Sequence, residues 1–229
     1  MTVQRDARWG WRFEDVEVPY WLQPLAQRLP TLRGEDLTRF LPPPEGGRAA
    51  AVLMLLGEGS DGPDVLIIER SADMRAHAGQ PALPGGAVDP GDVDAIAAAL
   101  REAHEETGLD STGVDVFGLV PDLWVPVSGF VVTPVLAWWR DPTPVSAVDV
   151  TEVASVHRIP IAELVDPANR TRVRHPSGYV GLGFAVRGLL VWGFTAGLLS
   201  GMLDLARWSQ PWDESRITDL EPDATEDLA

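Results

Sequence analysis

The segment Arg101-Glu102-Ala103-His104-Glu105-Glu106-Thr107-Gly108-Leu109 holds three glutamates spaced at i, i+3 and i+4. At 3.6 residues per turn of an α-helix, this spacing brings the three carboxylates within an arc of about 100° on one helix face. Like charges this close repel one another, and the C-terminal end of the helix dipole also disfavours anions. Because a bound divalent cation would remove both penalties, the segment predicts a metal site on a helix.

The residues before this segment predict that the helix begins at Asp92 or Asp94 and ends at Gly108. Aspartate is favoured in the first turn of a helix, and glycine is common just after the last turn. Apolar residues recur at helical spacing on a face separate from the carboxylates, at Ile96, Ala99, Leu100 and Ala103. We therefore predict an amphipathic helix whose carboxylates need not be buried to be ordered.

The composition limits which metal such a site would take. The chain contains no cysteine, which excludes disulfides, thiolate ligands and a cysteine nucleophile. Ligands that are only oxygen atoms favour a hard cation such as Mg²⁺, with Mn²⁺ as an alternative. Such an ion keeps several waters and shares its coordination shell with substrate phosphates. The alternative interpretation is a solvated helix face that is merely acidic.

A glycine turn, Pro84-Gly85-Gly86, precedes the helix. Glycine lets the backbone approach a ligand closely and present its amide or carbonyl groups to an anion or a metal. By itself the turn predicts only a change of chain direction.

Apolar runs on both sides of the helix predict a mixed α/β domain. The runs Ala49–Leu56 and Asp64–Ile68 are separated by a glycine-rich loop, which is typical of an antiparallel hairpin. After the helix, β-branched and aromatic runs predict two further strands, and two helices follow them. These segments are Val114–Val120 and Gly129–Trp139 for the strands, and Ile159–Val165 and Gly188–Trp208 for the helices.

The chain divides into three parts on composition. A proline-rich turn at Leu41–Gly47 stops any helix, so residues 1–47 are predicted to form an N-terminal extension. Residues 48–212 are predicted to form one domain that includes the C-terminal helix. Residues 213–229 carry many carboxylates and few apolar side chains, and are expected to be a disordered acidic tail.

The charge and the apolar content exclude some classes of partner. The 229 residues carry a net charge of −16, which disfavours binding to nucleic acid or to an anionic membrane surface. The apolar stretch Gly188–Leu203 is shorter than the roughly 20 residues that cross a bilayer. The N-terminus has no apolar run typical of a secretory signal, so a cytoplasmic location is expected. The oligomeric state stays open, and a homodimer is compatible with the sequence.

Gly86, the predicted helix and the pattern Arg101-Glu102-x-x-Glu105-Glu106-x-Gly108-Leu109 together resemble the Nudix box of the Nudix hydrolases. The second half of the box matches at every defining position. In the first half, Gly86 stands one residue further from Arg101 than is usual, and Val93 occupies the position of the usual glutamate. Asp92 and Asp94 flank that position, and either could supply the missing acid.

A second signature lies upstream of the box. The residues Leu66-Ile67-Ile68-Glu69-Arg70-Ser71, Arg75, Gly79 and Leu83-Pro84-Gly85-Gly86 resemble the signature of the coenzyme A pyrophosphatase branch of the family. That branch is also similar in its longer box. Two positions depart from the signature, because Leu83 replaces a phenylalanine and Ile68 replaces a threonine. The spacing of the arginines and glycines is kept.

The resemblance implies an α/β/α sandwich with a mixed β-sheet, and it implies roles for the box residues. Glu102 and Glu106 would bind Mg²⁺, and Glu105 would be a further ligand or the base that activates water. Arg101 lies off the metal-facing arc, so we interpret it as the partner that orients a box carboxylate for catalysis. A role of its own in catalysis is the alternative.

The second signature implies the residues that would bind the substrate. These are Arg70 and Arg75, whose planar guanidinium groups suit phosphate, and the backbone of Gly85 and Gly86. The implied reaction is Mg²⁺-dependent hydrolysis of coenzyme A or acyl-coenzyme A to 4′-phosphopantetheine, or its acyl form, and 3′,5′-ADP. Hydrolysis of ADP-ribose, NADH or another nucleoside diphosphate derivative is the first alternative. A Nudix-fold ligand sensor without catalysis is the second.

Overall fold

The computed structural model describes residues 16–38, 40–72 and 79–220. Its larger sheet has eight strands, of which β1 and β7 run parallel and the remaining pairs antiparallel, so the predicted mixed sheet is confirmed. The strands are β1 (Arg48–Gly59), β2 (Gly62–Arg70), β3 (Pro81–Ala82), β4 (Gly85–Ala87), β5 (Val114–Leu119), β6 (Leu123–Val125), β7 (Phe130–Trp139) and β8 (Val153–Pro160).

β1 and β2 form the predicted hairpin, and the segment that contains the glycine turn, β3 and β4, pairs with both strands of the hairpin. β1 and β2 pair near their turn, from Leu56 and Val65 to Gly59 and Gly62. Further from the turn, β3 pairs with β2 and β4 pairs with β1. This pairing anchors the glycine turn in the middle of the sheet, under the helix that follows it.

One helix, α2 (Ala95–Thr107), covers one face of this sheet. It begins and ends where the sequence predicts, since Asp94 caps its N-terminus by accepting a hydrogen bond from the amide of Ala97 at 2.8 Å. Gly108 ends it in the left-handed conformation, with a φ of 70°. The buried alanines of α2 pack on Leu53, Leu55 and Val135 of the sheet.

The opposite face carries α1 (Gln23–Arg28), α3 (Ile161–Val165) and α4 (Gly193–Leu205), so helices lie on both faces of the sheet as predicted. Leu22, Leu25 and Leu29 are buried in this second core, which places part of the predicted N-terminal extension inside the domain. A smaller sheet packs on the same side. Its strands are β9 (Arg170–Arg174), β10 (Val180–Val186), β11 (Leu189–Trp192) and β12 (Ile217–Asp219), in the order β11-β10-β9-β12.

Two segments differ from the expectation. The helix predicted from Gly188 begins only at Gly193, because Leu189–Trp192 pairs with β10 as strand β11. Alternate residues of that strand are buried, a period of two inside an otherwise continuous apolar run. The tail was expected to be disordered from residue 213, but it contains strand β12 (Ile217–Asp219), which pairs in parallel with β9. In the part of the chain that the model describes, no helix is long and apolar enough to cross a membrane.

Candidate active site

The three glutamates of α2 differ in their exposure. The side chain of Glu106 is 7% exposed, that of Glu102 19% and that of Glu105 54%. Helix geometry explains the order, since Glu106 follows the buried Ala99 by seven residues and so lies only about 20° from it around the helix. One of the three carboxylates, that of Glu106, is therefore buried at the border of the core, whereas that of Glu105 is exposed.

The glycine strand β4 lies directly against these carboxylates. The amide of Gly85 donates a hydrogen bond to Oε2 of Glu106 at 2.9 Å. A Cβ atom on Gly86 would lie 2.5 Å from Oε1 of Glu102, so only glycine leaves this carboxylate its position. Gly85 has a φ of 154°, and a Cβ atom there would overlap the carbonyl oxygen of Ala51. The backbone of β4 is therefore in direct contact with the carboxylates of Glu102 and Glu106.

Burial changes the acidity of two of these groups. Desolvation raises the pKa of Glu106 from 4.5 to about 7, against the opposing effects of the Gly85 hydrogen bond and of the Arg70 charge. Desolvation also raises the pKa of Glu102, although the hydrogen bond from Arg101 lowers it. A carboxylate that is costly to ionise when buried gains more from a nearby cation than an exposed one does.

The guanidinium of Arg101 lies near four carboxylates, two from the loop before α2 and two from α2 itself. Its Nη1 atom donates hydrogen bonds to Glu102 at 3.0 Å and to Glu105 at 2.9 Å. Its Nε and Nη2 atoms donate to the two oxygens of Asp92, at 3.0 and 2.9 Å. Asp89 lies further off, at 3.7 Å from Nη2. These contacts agree with the interpretation of Arg101 as the orienting partner of box carboxylates.

The two aspartates that flank Val93 have separate contacts. Asp92 is the bidentate partner of Arg101, and Asp94 caps α2. Val93 itself is 82% exposed. Asp92, one of the two candidates for the missing acid, is thus joined to the box through Arg101.

The upstream signature meets the box through Arg70, the last residue of β2. Its Nη1 atom lies 3.8 Å from Oε1 of Glu106. Two motifs that are separate in the sequence thus converge on one carboxylate. The other arginine of that signature, Arg75, lies outside the described residues.

The charge of a further carboxylate, which the sequence analysis did not single out, acts on this group. The charge of Glu152, just before β8, contributes to the raised pKa of Glu106. The carbonyl of Glu152 accepts a hydrogen bond from the amide of Ser71 at 2.9 Å, which joins this loop to the end of β2. No spacing in the sequence links residue 152 to the box, so only the pairing of β8 with β2 reveals its place.

The contacts and the chemistry of these side chains determine whether the site fits a divalent cation. Within residues 16–38, 40–72 and 79–220, no group of three or more His, Asp or Glu side chains already converges as a metal site. The guanidinium of Arg101 is instead hydrogen-bonded to Glu102 and Glu105. The donor chemistry still fits Mg²⁺, because the groups are carboxylate oxygens and two of them are disfavoured as bare anions by burial. A cation would have to share or displace the Arg101 contacts.

Comparisons with known proteins agree on one family. Residues 46–177 match the model of the NUDIX domain. The chain is 40% identical over 177 residues to the uncharacterized Nudix hydrolase NudL of Citrobacter koseri, covering 74% of this chain and 84% of that protein. It is 38% identical over 159 residues to NudL of Escherichia coli K12, covering 66% and 79%. Among solved structures, a Nudix hydrolase of M. smegmatis, RenU, is 25% identical, with a TM-score of 0.45 over 56% of this chain and 82% of that one.

Proposed function

Because the chain belongs to the Nudix family and is a Nudix hydrolase, we propose that it hydrolyses the pyrophosphate bond of coenzyme A or an acyl-coenzyme A. The products are 4′-phosphopantetheine, or its acyl form, and 3′,5′-ADP. Nudix hydrolases generally use divalent cations, and the proposed cation here is Mg²⁺, with Mn²⁺ as an alternative. A cytoplasmic location stays a prediction.

The contact between Arg70 and Glu106 carries the substrate part of the proposal. Arg70 belongs to the upstream signature and Glu106 to the box, and the two side chains lie 3.8 Å apart. A guanidinium beside a metal-binding carboxylate can bind the phosphate that the metal also contacts. The upstream signature thus supplies a guanidinium beside the proposed metal-binding carboxylate, which supports coenzyme A over other nucleoside diphosphate derivatives.

The charge balance supports a cation in this position. The protein carries a net charge of −16, and the negative charges of Glu102 and Glu152 both act on Glu106. A diphosphate substrate adds further negative charge. Arg70 and Arg101 are the cationic side chains that contact the box glutamates within the described residues. A divalent cation would offset the remaining repulsion.

Each site residue has a proposed role in this reaction. Glu102 and Glu106 hold the cation, and when bound it polarises the phosphate and neutralises the developing charge. Glu105, the most exposed of the three, is a further ligand or takes the proton of the attacking water. Arg101 orients Glu102 and Glu105, while Arg70, Arg75 and the backbone of Gly85 and Gly86 position the diphosphate. Water adds to one phosphorus, and the bridging oxygen leaves with the other phosphate.

The test is product analysis with a set of substrates. Purified protein with Mg²⁺ is incubated separately with coenzyme A, acetyl-coenzyme A, ADP-ribose and NADH, and products are identified by liquid chromatography with mass detection. We expect 4′-phosphopantetheine and 3′,5′-ADP from coenzyme A, and no turnover with excess chelator. Arg70→Ala should raise the KM for coenzyme A by about tenfold or more, because a charged hydrogen-bond partner of phosphate is lost.

Each other result has a definite meaning. Cleavage of ADP-ribose or NADH alone would retain the Nudix chemistry and reject coenzyme A as substrate. Turnover that survives chelation would reject the role of the cation. The absence of turnover with all four substrates and both metals, together with tight binding of one of them, would favour the ligand-sensor alternative.

A further inference from the structure

Residues 146–152, which lie between β7 and β8, form neither helix nor strand and are called the bridge segment here. Ala147 is half-buried, and the other residues of the bridge segment are exposed. Hydrogen bonds, more than burial in a core, therefore hold this segment in place. Those bonds lead to both halves of the carboxylate site.

One end of the bridge segment binds the end of α2. The amide of Ser146 donates a hydrogen bond to the carbonyl of Thr107 at 3.0 Å, and the amide of Val148 donates one to the carbonyl of Glu106 at 3.2 Å. The last carbonyl groups of an α-helix have no amide partner within the helix, so the bridge segment supplies the missing donors. These bonds hold the backbone of the turn that carries Glu105 and Glu106.

The other end of the bridge segment binds the end of β2. The carbonyl of Glu152 accepts a hydrogen bond from the amide of Ser71 at 2.9 Å. The next residue, Val153, is the register partner of Arg70, and the register of β8 against β2 shifts just before this pair. Irregular pairing of this kind changes the direction of nearby side chains and is common next to active sites. The bridge segment thus ends beside the backbone of Arg70.

The two attachments lie on either side of the contact between Arg70 and Glu106. The Nη1 and Oε1 atoms of this pair are 3.8 Å apart, which is longer than a hydrogen bond. The two side chains therefore do not fix each other's position by direct bonding. Their separation depends on how the end of α2 lies relative to the end of β2, and the bridge segment is bonded to both ends.

A tight turn at Asp149 shapes the middle of the bridge segment. Oδ1 of Asp149 accepts hydrogen bonds from the amide and the hydroxyl of Thr151, at 2.8 and 2.6 Å. Its carbonyl accepts two more, from the amides of Glu152 and Val153 at 3.1 and 2.9 Å. Aspartate favours such turns because its side chain mimics a backbone acceptor. The bonds from Thr151 hold the pKa of Asp149 below its usual range, so the carboxylate is an ionised acceptor at neutral pH.

We propose that Asp149 is a positioning residue, whose turn makes the bridge segment rigid enough to fix Arg70 relative to the end of α2 that carries Glu106. The inference rests on the proposed function and adds to it a residue outside both sequence signatures. In that reaction Glu106 binds the cation and Arg70 binds the diphosphate, so their separation determines whether one substrate can contact both. Asp149 acts through the backbone alone and touches neither cation nor substrate.

Two substitutions at Asp149 separate the turn from the charge. Asp149→Ala removes the acceptor of both Thr151 bonds, whereas Asp149→Asn keeps an oxygen that can accept them without the charge. We expect Asp149→Ala to lower the Mg²⁺ affinity, measured by calorimetry, and kcat/KM by about tenfold each, as for other residues that orient metal ligands. Hydrogen exchange of the Ser146 and Val148 amides should be faster. Asp149→Asn should restore all three quantities to nearly wild-type values.

A second turn of the same kind provides the matched control. Oδ1 of Asp213 accepts hydrogen bonds from the amide and the hydroxyl of Ser215, at 3.0 and 2.6 Å, just before β12 of the smaller sheet. Asp213→Ala therefore removes equivalent bonds from an exposed segment that has no bond to α2 or β2 in the part of the chain that the model describes. It should leave Mg²⁺ affinity, kcat/KM and exchange at Ser146 and Val148 unchanged.

Two results would overturn the role of Asp149. One is an Asp149→Ala protein with wild-type Mg²⁺ affinity and kcat/KM, and the other is an Asp149→Asn protein as impaired as Asp149→Ala, since charge would then matter and not the turn. If Asp149→Ala does not fold, Thr151→Val removes only the hydroxyl donor and should give the same changes in smaller measure. Kinetics use whichever diphosphate the wild type cleaves. Because hydrogen exchange and Mg²⁺ binding need no turnover, they distinguish failure of this role from failure of coenzyme A as substrate.

Discussion

The carboxylate of Asp92 receives two hydrogen bonds from the guanidinium of Arg101, at Nε and Nη2, with lengths of 3.0 and 2.9 Å. The hydrogen bond from Arg101 holds the pKa of Asp92 below its usual range. The remaining atom, Nη1, is then directed at Glu102 and Glu105. An acid outside the helix thus fixes the arginine that orients two box glutamates.

Removing this acid should impair catalysis without unfolding the protein. In Asp92→Ala the guanidinium of Arg101 loses its bidentate partner, and we expect kcat to fall by about 10- to 100-fold, as for other residues that orient metal ligands. Steady-state kinetics over a Mg²⁺ titration measures the effect, with circular dichroism as the check on folding. Asp89→Ala is the matched control, because Asp89 is exposed and 3.7 Å from Arg101. Equal losses in the two variants would contradict the role of Asp92.

Alanine substitutions at the adjacent glycines Gly85 and Gly86 should have different effects, one on stability and the other on Mg²⁺ binding. A Cβ atom at Gly86 meets the carboxylate of Glu102, the flexible end of a side chain, so Gly86→Ala should fold but displace that carboxylate and weaken Mg²⁺ binding. A Cβ atom at Gly85 meets the backbone of Ala51 at a φ of 154°, so Gly85→Ala should lower the unfolding temperature instead. Isothermal titration with Mg²⁺ and thermal unfolding of both variants separate the effects. A Gly86→Ala protein with normal Mg²⁺ affinity would contradict the placement of Glu102 at the metal.

Substitutions of single glutamates should separate their roles. Glu106→Gln is nearly isosteric and removes one charge, so we expect turnover to fall by about 100-fold or more at saturating Mg²⁺ while the fold is kept. If Glu105 acts as the base, Glu105→Gln should change the Mg²⁺ affinity less than Glu106→Gln does. The side chain of Glu105 is 54% exposed and is bonded to Arg101. Parallel measurements of kcat and of Mg²⁺ affinity decide between the roles. Retained turnover in Glu106→Gln would reject Glu106 as a ligand.

The stability of the metal-free protein should depend on pH through Glu106. Burial raises its pKa in the folded state from 4.5 to about 7, so between these values the folded state keeps a proton that the unfolded state has lost. Stability is therefore fully present below pH 4.5 and is lost as the pH rises through about 7. The loss is on the order of 3 kcal/mol for this one group.

Urea unfolding in chelator at several pH values from 5 to 8 measures this dependence. The difference between wild type and Glu106→Gln isolates the group, because the amide does not titrate. We expect Glu106→Gln to be the more stable of the two at pH 8, and Mg²⁺ to stabilise the wild type more at pH 8 than at pH 5. Parallel pH profiles in the two proteins would show that Glu106 ionises freely when metal-free.

Local patterns were sufficient for much of the fold. The 3.6-residue spacing and the capping residues Asp94 and Gly108 predict α2 with its correct ends, and the loop after Leu56 predicts the first hairpin. They were insufficient in the C-terminal region. There, one apolar run contains both β11 and α4, and the hydrogen-bond partners of β12 lie more than forty residues away on β9. Pairing with a distant strand leaves no local signal.

For the site, local sequence is enough to predict which carboxylates share a helix face, whereas their surroundings depend on the tertiary structure. The spacing of Glu102, Glu105 and Glu106 determines that three carboxylates share one helix face, because helix geometry is local. Which of them is buried, and which basic side chain contacts it, depends on packing. Because α2 lies on β4 and β2 ends beside it, Glu106 contacts both the amide of Gly85 and the guanidinium of Arg70. Chain segments distant in sequence create that environment, and no residue's own neighbours encode it.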